Sequence, residues 1–294
     1  MHRTPRRYPR FVLKLIYAVE WCCAVVLRGK ALYRRQLRRD RLAITKCEIV
    51  IPGLPRAFDG LKLLHLSDFH AGPFLDARSL DDVVAVANEL APDVVCLTGD
   101  YITHAIDEAK SLSPALAKLR APLGGFAVFG NHDYRQRREA EFAAELATLG
   151  ITTLRNAGVA LERGGQRLWF AGIEDVEEGK VVDVDAAMRG RGDAPAILLA
   201  HHPDVVDRVG GKGVALVLSG HTHGGQIVVG GRSIFGGSMR SAHAPGLAKV
   251  DDRSVFVTRG IGVLMLPLRV GAPAEVALLT LRTAPENHHP HQPH

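Results

Sequence analysis

From about residue 44 onward, short apolar runs alternate with longer stretches in which apolar residues recur every three or four positions. The runs "LKLLHLS" (61–67), "DVVCLTG" (93–99), "GFAVFG" (125–130), "QRLWFAGI" (166–173), "AILLA" (196–200) and "VALVLSG" (214–220) predict buried strands, and "VALLTLR" (276–282) a closing one. Between them, "SLDDVVAVANEL" (79–90), "EAKSLSPALAKL" (108–119) and "RREAEFAAELATLG" (137–150) predict amphipathic helices. Ser79 or Asp81 is expected to cap the first and Gly150 to stop the last. Strand, helix and strand in succession imply an α/β domain whose largely parallel or mixed sheet is flanked by helices.

The first 43 residues read differently. "FVLKLIYAVEWCCAVVL" (11–27) is apolar, flanked by arginines and interrupted by Lys14 and Glu20, at the short end of spanning length. On a single helical wheel Arg10, Lys14, Glu20, Arg28, Arg35 and Arg39 gather on one side. That predicts a helix lying in a membrane interface with Tyr17 and Trp21 at headgroup level, against the alternative of an amphipathic helix packed on the domain. No small-residue cleavage site follows, which argues against a signal peptide. Were the helix to span, the heavier charge after it, +6 over residues 28–41 against +4 before, would keep the domain on the cytoplasmic face. The expected division is a basic membrane-associating arm (1–43), an α/β domain (44–282) and a disordered His-rich tail (283–294).

Charge and cysteines sharpen this picture. The chain carries +6, but residues 1–41 hold twelve Arg or Lys against Glu20 and Asp40, which is +10 and leaves −4 on the rest. A mildly acidic body argues against a nucleic-acid partner. Cys22, Cys23, Cys47 and Cys96 show no C-x-x-C spacing and are read as free thiols rather than a disulfide frame or zinc knuckle.

The polar residues fall in a pattern. Five predicted strands run into "SDFHAG" (Asp68, His70), "GD" (Asp100), "GNHD" (Asn131, His132, Asp133), "HHPD" (His201, His202) and "GHTHGG" (His221, His223). Any one of these blocks is weak evidence. The carboxyl ends of strands in an α/β sheet converge on one crevice, however, and so many buried charges are tolerable there if cations sit among them. Nitrogen and oxygen ligands without cysteine suit manganese, iron, zinc or cobalt, and so large a set fits two cations better than one.

The order D-x-H, GD, GNH(D), H, GHTH resembles that of the calcineurin-like metallophosphoesterase superfamily over roughly residues 45–282. More narrowly, "LHLSDFHAG", "LTGDY", "GNHDY", "ILLAHHPD", "SGHTHGGQI" and "TRGIGVLMLPLRVGAPAEVALLTL" are similar to the bacterial membrane-associated branch of YaeI/YkuE-type phosphodiesterases, related to a calcineurin-like UDP-diacylglucosamine hydrolase. The resemblance implies a four-layer α/β sandwich of two mixed β-sheets flanked by helices. It implies that Asp68, His70 and His223 hold a first metal, that Asp100 bridges, and that Asn131, His201 and His221 complete a second site. Two divalent ions are expected, manganese foremost, with iron, zinc, cobalt or magnesium as alternatives. Cations ~3.5–4 Å apart would hold a hydroxide for attack on phosphorus, and His132 would protonate the leaving group.

In phosphatases of the superfamily a second aspartate orients that histidine, whereas Thr103 stands at its place here, so the partner of His132 must come from elsewhere. His202 is expected at the rim and Asp133 in support of its loop. The basic arm points to a membrane-associated, lipid-linked phosphodiester or pyrophosphate. A soluble phosphodiester is the alternative substrate, and a catalytically silent scaffold the alternative role.

Overall fold

A computed structural model of the chain describes residues 10–135, 137–234 and 244–285. The strands are β1 (Ala43–Ile51), β2 (Lys62–Leu66), β3 (Val94–Leu97), β4 (Gly125–Ala127), β5 (Ile151–Thr153), β6 (Ala157–Arg163), β7 (Gln166–Gly172), β8 (Ala196–Leu199), β9 (Val214–Ser219), β10 (Val228–Val229), β11 (Arg232–Ser233), β12 (Gly246–Val250), β13 (Arg253–Val257) and β14 (Glu275–Thr283). The helices are α1 (Arg10–Val25), α2 (Gly29–Gln36), α3 (Asp81–Glu89), α4 (Ile106–Lys110), α5 (Ser113–Leu116), α6 (Asn131–Tyr134), α7 (Glu139–Thr148) and α8 (Val184–Ala187).

Two six-stranded mixed sheets, β1-β14-β2-β3-β4-β5 and β12-β13-β9-β8-β7-β6, lie face to face, with β10 and β11 forming a separate pair. In the first sheet β2, β3, β4 and β5 run parallel and β14 opposes β2. In the second β7, β8, β9 and β13 run parallel and β12 and β6 close the two edges antiparallel.

Alternation along each strand divides the side chains between layers. Leu63 of β2 points between the sheets, into a core with Cys96, Phe126, Phe170, Leu199, Leu218 and Leu279, where the Phe126 and Phe170 rings stack 4.4 Å apart across the gap. Leu64 and Leu66 point the other way, onto Val83, Leu112, Phe142 and Leu146 of the helical layer. The outer face of the second sheet buries Leu198, Val217 and Val255 against Ala187 and the short turn carrying Val205 and Val206. Helices, sheet, sheet and short helical turns make the four layers.

Each expected strand forms. The expected helix over 108–119 is two short ones, α4 and α5, because Pro114 fits a helix's first turn and restarts the chain there. Neither Ser79 nor Asp81 alone is the cap. Asp76 accepts from Ser79 N at 3.1 Å and opens the turn Ala77–Leu80 that feeds α3. Gly150 takes a left-handed turn (φ 73) just past α7.

The basic segment is not one continuous helix. Arg28 turns left-handed (φ 51) and separates α1 from α2, so a single wheel does not run through both, and Glu20 faces inward, 4% exposed. Cys23, Tyr33 and Leu37 belong to the core beneath the first sheet, and the Tyr33 hydroxyl donates to the Ile261 carbonyl. Leu15, Trp21, Val25, Val26 and Leu27 remain exposed. Among the described residues no helix is long and apolar enough to cross a membrane. From residue 286 on, the expected tail lies outside the described residues, as do residues 1–9.

Candidate metal centre

The first sheet delivers Asp68, His70, Asp100 and Asn131 just past β2, β3 and β4, and the second delivers His201, His221 and His223 just past β8 and β9. Pairing continues past the strand ends: Asp68 N donates to Gly99 O at 2.9 Å, His70 N to Asp100 O at 3.0 Å and Ala71 N to Tyr101 O at 2.8 Å. This holds the two loops in register beyond Leu66 and Leu97. Asp68, His70, Asp100, His221 and His223 all have positive φ, between 47° and 67°. Left-handed backbone at a non-glycine residue costs of order 1–3 kcal/mol and persists where surroundings impose it. Five such residues in one crevice turn their side chains inward instead of letting them alternate along a strand.

Six of the seven candidate ligands meet in this cleft, and Asn131 opens the short helix α6 whose His132 N–H bonds Asp100. Asp68, His70 and His223 offer ligand atoms within 4.8 Å of one another, as do Asp68, Asp100 and His201. His70 Nε2 lies 3.0 Å from His223 Nε2, and His201 Nε2 lies 3.3 Å from His221 Nδ1. Asp100 Oδ2 stands between the two groups, 3.4 Å from His70 Nε2 and 3.3 Å from His201 Nε2. Asn131 Oδ1 is buried with no hydrogen-bond partner among the described residues. A buried acceptor without a donor is costly, and a cation satisfies it. The His201 ring is fixed by Nδ1–H donating to Thr98 O at 2.8 Å, which turns Nε2 to the cleft. The residues fit a pair of cations.

Burial lowers the pKa of His70 and His221 well below the ordinary imidazole value, and burial with the nearby Arg269 charge brings His223 to about 3. Neutral imidazole is the form that ligates. Burial and the neighbouring Asp100 raise Asp68 to about 6, although His201 opposes them. For Asp100 burial also raises the pKa, but the surrounding histidines, His201 first, outweigh it and keep the carboxylate ionised. His201 mirrors this, lifted above its ordinary value by Asp100 against the effect of burial.

His132 stands beside the ligands, its ring perpendicular to that of His70 at 4.7 Å, and its backbone N–H donates to Asp100 Oδ1 at 2.9 Å. Its partner is a main-chain group: Nδ1–H donates to the Thr103 carbonyl at 2.9 Å. Arg135 Nη1 lies 3.2 Å from Nε2. A carbonyl orients the ring as a carboxylate would, but offers less to an imidazolium. Thr103 Oγ1 donates instead to His70 O at 2.9 Å. Asp133 accepts N–H groups of Asp100, Tyr101, Ile102 and Gly130, which organises the loop. His202 lies against His221 with ring centroids 3.7 Å apart and planes tilted by 33°, and it offers a ligand atom within 4.8 Å of those of His201 and His221.

Arg269 is a contributor that strand-end reading misses. It is 7% exposed, donates to the carbonyls of His223, Gly262 and Ala272, and places Nη2 3.2 Å from His223 Nδ1. A lone arginine inside the apolar run "LMLPLRVGA" is the signal that could have found it.

A family model described as calcineurin-like phosphoesterase matches residues 61–225. The chain is 30% identical over 282 residues to metallophosphoesterase YkuE of Bacillus subtilis, covering 93% of this chain and 97% of that one. It is 32% identical over 254 residues to a transmembrane protein with metallophosphoesterase domain of Danio rerio, covering 82% of this chain and 57% of that one. With phosphodiesterase YaeI of Escherichia coli it shares 30% identity over 226 residues, 75% of this chain and 82% of that one. The chain thus spans little more than half the length of the fish relative.

Proposed function

The chain belongs to the calcineurin-like phosphoesterase family, and from that premise we propose that it hydrolyses a phosphodiester or pyrophosphate bond with two divalent cations, manganese foremost. The observation that supports this reading best is Asp100 Oδ2 placed between His70 Nε2 and His201 Nε2, where one carboxylate can serve two ions. Asp68, His70 and His223 with Asp100 would hold one cation, and Asp100, Asn131, His201 and His221 the other. Such a pair, when bound, supplies an activated water and neutralises charge on the phosphoryl oxygens. The protein's own part is to keep three imidazoles neutral, to hold six side chains convergent at the cost of left-handed backbone, and to present His132 to the departing oxygen. A silent scaffold would need no such set, and every ligand position is filled.

The substrate is proposed to be membrane-associated, with the domain on the cytoplasmic face. Leu15, Trp21, Val25, Val26 and Leu27 are exposed on and just after α1, and Lys30, Arg34, Arg35 and Arg38 follow on or beside α2. An apolar face beside cations suits a surface-lying helix on anionic lipid. Removing residues 1–41 would take Tyr33 and Leu37 from the core, so point variants give the cleaner test. Trp21→Glu with Leu27→Glu is expected to abolish sedimentation with phosphatidylglycerol vesicles. The same variant is expected to lower turnover of a lipid-linked diphosphate at least tenfold relative to bis(p-nitrophenyl) phosphate. An unchanged ratio would remove the lipid substrate.

A further inference from the structure

Glu108, in the first turn of α4, is a partly buried carboxylate outside the metal centre. One of its oxygens, Oε2, accepts three backbone N–H groups: those of Thr103 at 2.9 Å, His104 at 2.8 Å and Ala105 at 3.2 Å. Reaching back to Ala105 is what the start of a helix needs. The bonds to Thr103 and His104 go beyond that need. Thr103 N has a second acceptor in Ala71 O at 3.0 Å, so the His104 N–H is the one whose bond rests on Glu108. Gly72, two residues past His70, keeps the space open: a Cβ there would stand 2.7 Å from Glu108 Oε1.

His104 N and Thr103 O are the two ends of a single peptide group. The group is trans, so its ends point in opposite directions. The nitrogen end is held by Glu108, and the oxygen end accepts from His132 Nδ1–H at 2.9 Å. Arg135 Nη1 lies 3.2 Å from each ring nitrogen, but a guanidinium only donates and cannot take that proton. A carboxylate on the N–H end polarises the peptide and strengthens its oxygen as an acceptor. Resting on the phosphoesterase reading above, we propose that Glu108 is a positioning residue for the proton donor and acts through this one peptide. Its carboxylate holds the His104 N–H, the Thr103 carbonyl holds His132 Nδ1–H, and the other ring nitrogen is left for the departing oxygen. When the P–O bond breaks, its electron pair stays on that oxygen and the ring's proton joins it. The water consumed supplies the hydroxyl that joins phosphorus and the proton that restores the ring.

The test uses the full manganese-loaded chain, wild type and the variants Glu108→Ala, Glu108→Asp, Glu108→Gln and His132→Ala. Two diesters are compared: methyl phenyl phosphate, whose poorer leaving group needs a proton, and methyl p-nitrophenyl phosphate, whose leaving group needs little help. Glu108→Ala is expected to lower kcat for the phenyl ester about tenfold relative to the nitrophenyl ester, with KM unchanged. Glu108→Asp, one methylene short of the peptide, should do the same and serves if the alanine variant does not fold. Glu108→Gln keeps an oxygen for the N–H groups and should recover most of the loss. In the His132→Ala background Glu108→Ala should add no further selectivity, because both act through one ring. An equal loss on both esters, a further selective loss without His132, or no loss overturns the proposal. Ring N–H signals of the zinc-loaded chain labelled with ¹⁵N-histidine give a readout that needs no turnover. The His132 signal, identified by its absence in His132→Ala, should be protected from exchange in wild type and Glu108→Gln and lost in Glu108→Ala and Glu108→Asp. A signal that survives in those two variants overturns the role of Glu108. Wild type that hydrolyses neither ester overturns the phosphoesterase reading, and the ring signal then decides on Glu108 by itself.

Discussion

Glu20 of α1 lies 2.7 Å, through Oε2, from Nε2 of His104, on the loop whose Thr103 carbonyl holds the His132 ring. Its Oε1 accepts from Met265 N at 3.3 Å, so one buried carboxylate ties the basic segment both to the loop that holds His132 and to the loop before β14. Glu108 secures the same loop from the other side by accepting the N–H groups of Thr103, His104 and Ala105. Glu20→Ala removes the carboxylate from His104 Nε2 and Met265 N and is expected to cost about 1–3 kcal/mol in denaturant unfolding. Trp21→Ala, at the exposed neighbouring position, is expected to stay within ~0.5 kcal/mol of wild type. Equal effects from the two would show that the Glu20 contact carries no stability.

His132→Ala separates proton donation from metal binding. Its ring is held by a carbonyl rather than a carboxylate, so the contribution should sit at the low end of the ~10²–10⁴-fold typical of general acids. Turnover of an alkyl phosphodiester is expected to fall by about 10²-fold, and that of a p-nitrophenyl diester, whose leaving group needs little help, by much less. Metal content should stay at the wild-type level. A uniform loss across leaving groups would remove the proton-donor role.

Gly220 tests how closely the cleft is built. A Cβ there would stand 2.2 Å from Asp68 Oδ2 and 2.2 Å from Ser67 Oγ, so Gly220→Ala must push the carboxylate aside. Displacing a ligand's support typically costs ~10–100-fold in metal affinity. Competition against a chelator should show that loss with the circular dichroism spectrum preserved. Unchanged affinity would mean that Asp68 does not hold a cation.

Asp76 gives a stability prediction with a definite pH sign. Burial raises its pKa, but the Ser79 hydroxyl and the Lys30 ammonium outweigh it and hold the carboxyl below its ordinary 3.8. A depressed folded-state pKa stabilises above the unfolded value and is lost as pH falls through the folded one. Asp76→Ala is therefore expected to cost about 1 kcal/mol near neutral pH, the usual worth of a cap, and progressively less below pH 3.8. A penalty that does not change with pH would assign the effect to geometry alone.

Most inner strands of the two sheets were legible because burial on both faces leaves a continuous apolar signature, as in "LLHL" and "VALVLS", whereas the inner strand β13, "RSVFV", was not, because Arg253 and Ser254 leave it only three apolar residues. The edge strands β1, β6 and β12 were not, because one face meets solvent and their sequences mix charge with apolar residues, as in "AITKCEIVI". The candidate ligands were visible because each follows a strand. Their inward turn was not, since left-handed backbone at Asp68 or His221 is imposed by neighbouring loops rather than by local propensity. Arg269, Glu20 and the Thr103 carbonyl escaped for the same reason: each acts through a contact made far along the chain.

Asp100→Asn is the most direct test, because its carboxylate is the one proposed to serve both cations. Metal content and hydrolysis of bis(p-nitrophenyl) phosphate would be measured after exposure to manganese and desalting. The account predicts two divalent ions per wild-type chain with turnover, and loss of both metal and turnover in the variant. Wild-type protein that stays metal-free and inert, or a variant that keeps both ions and full activity, would contradict it.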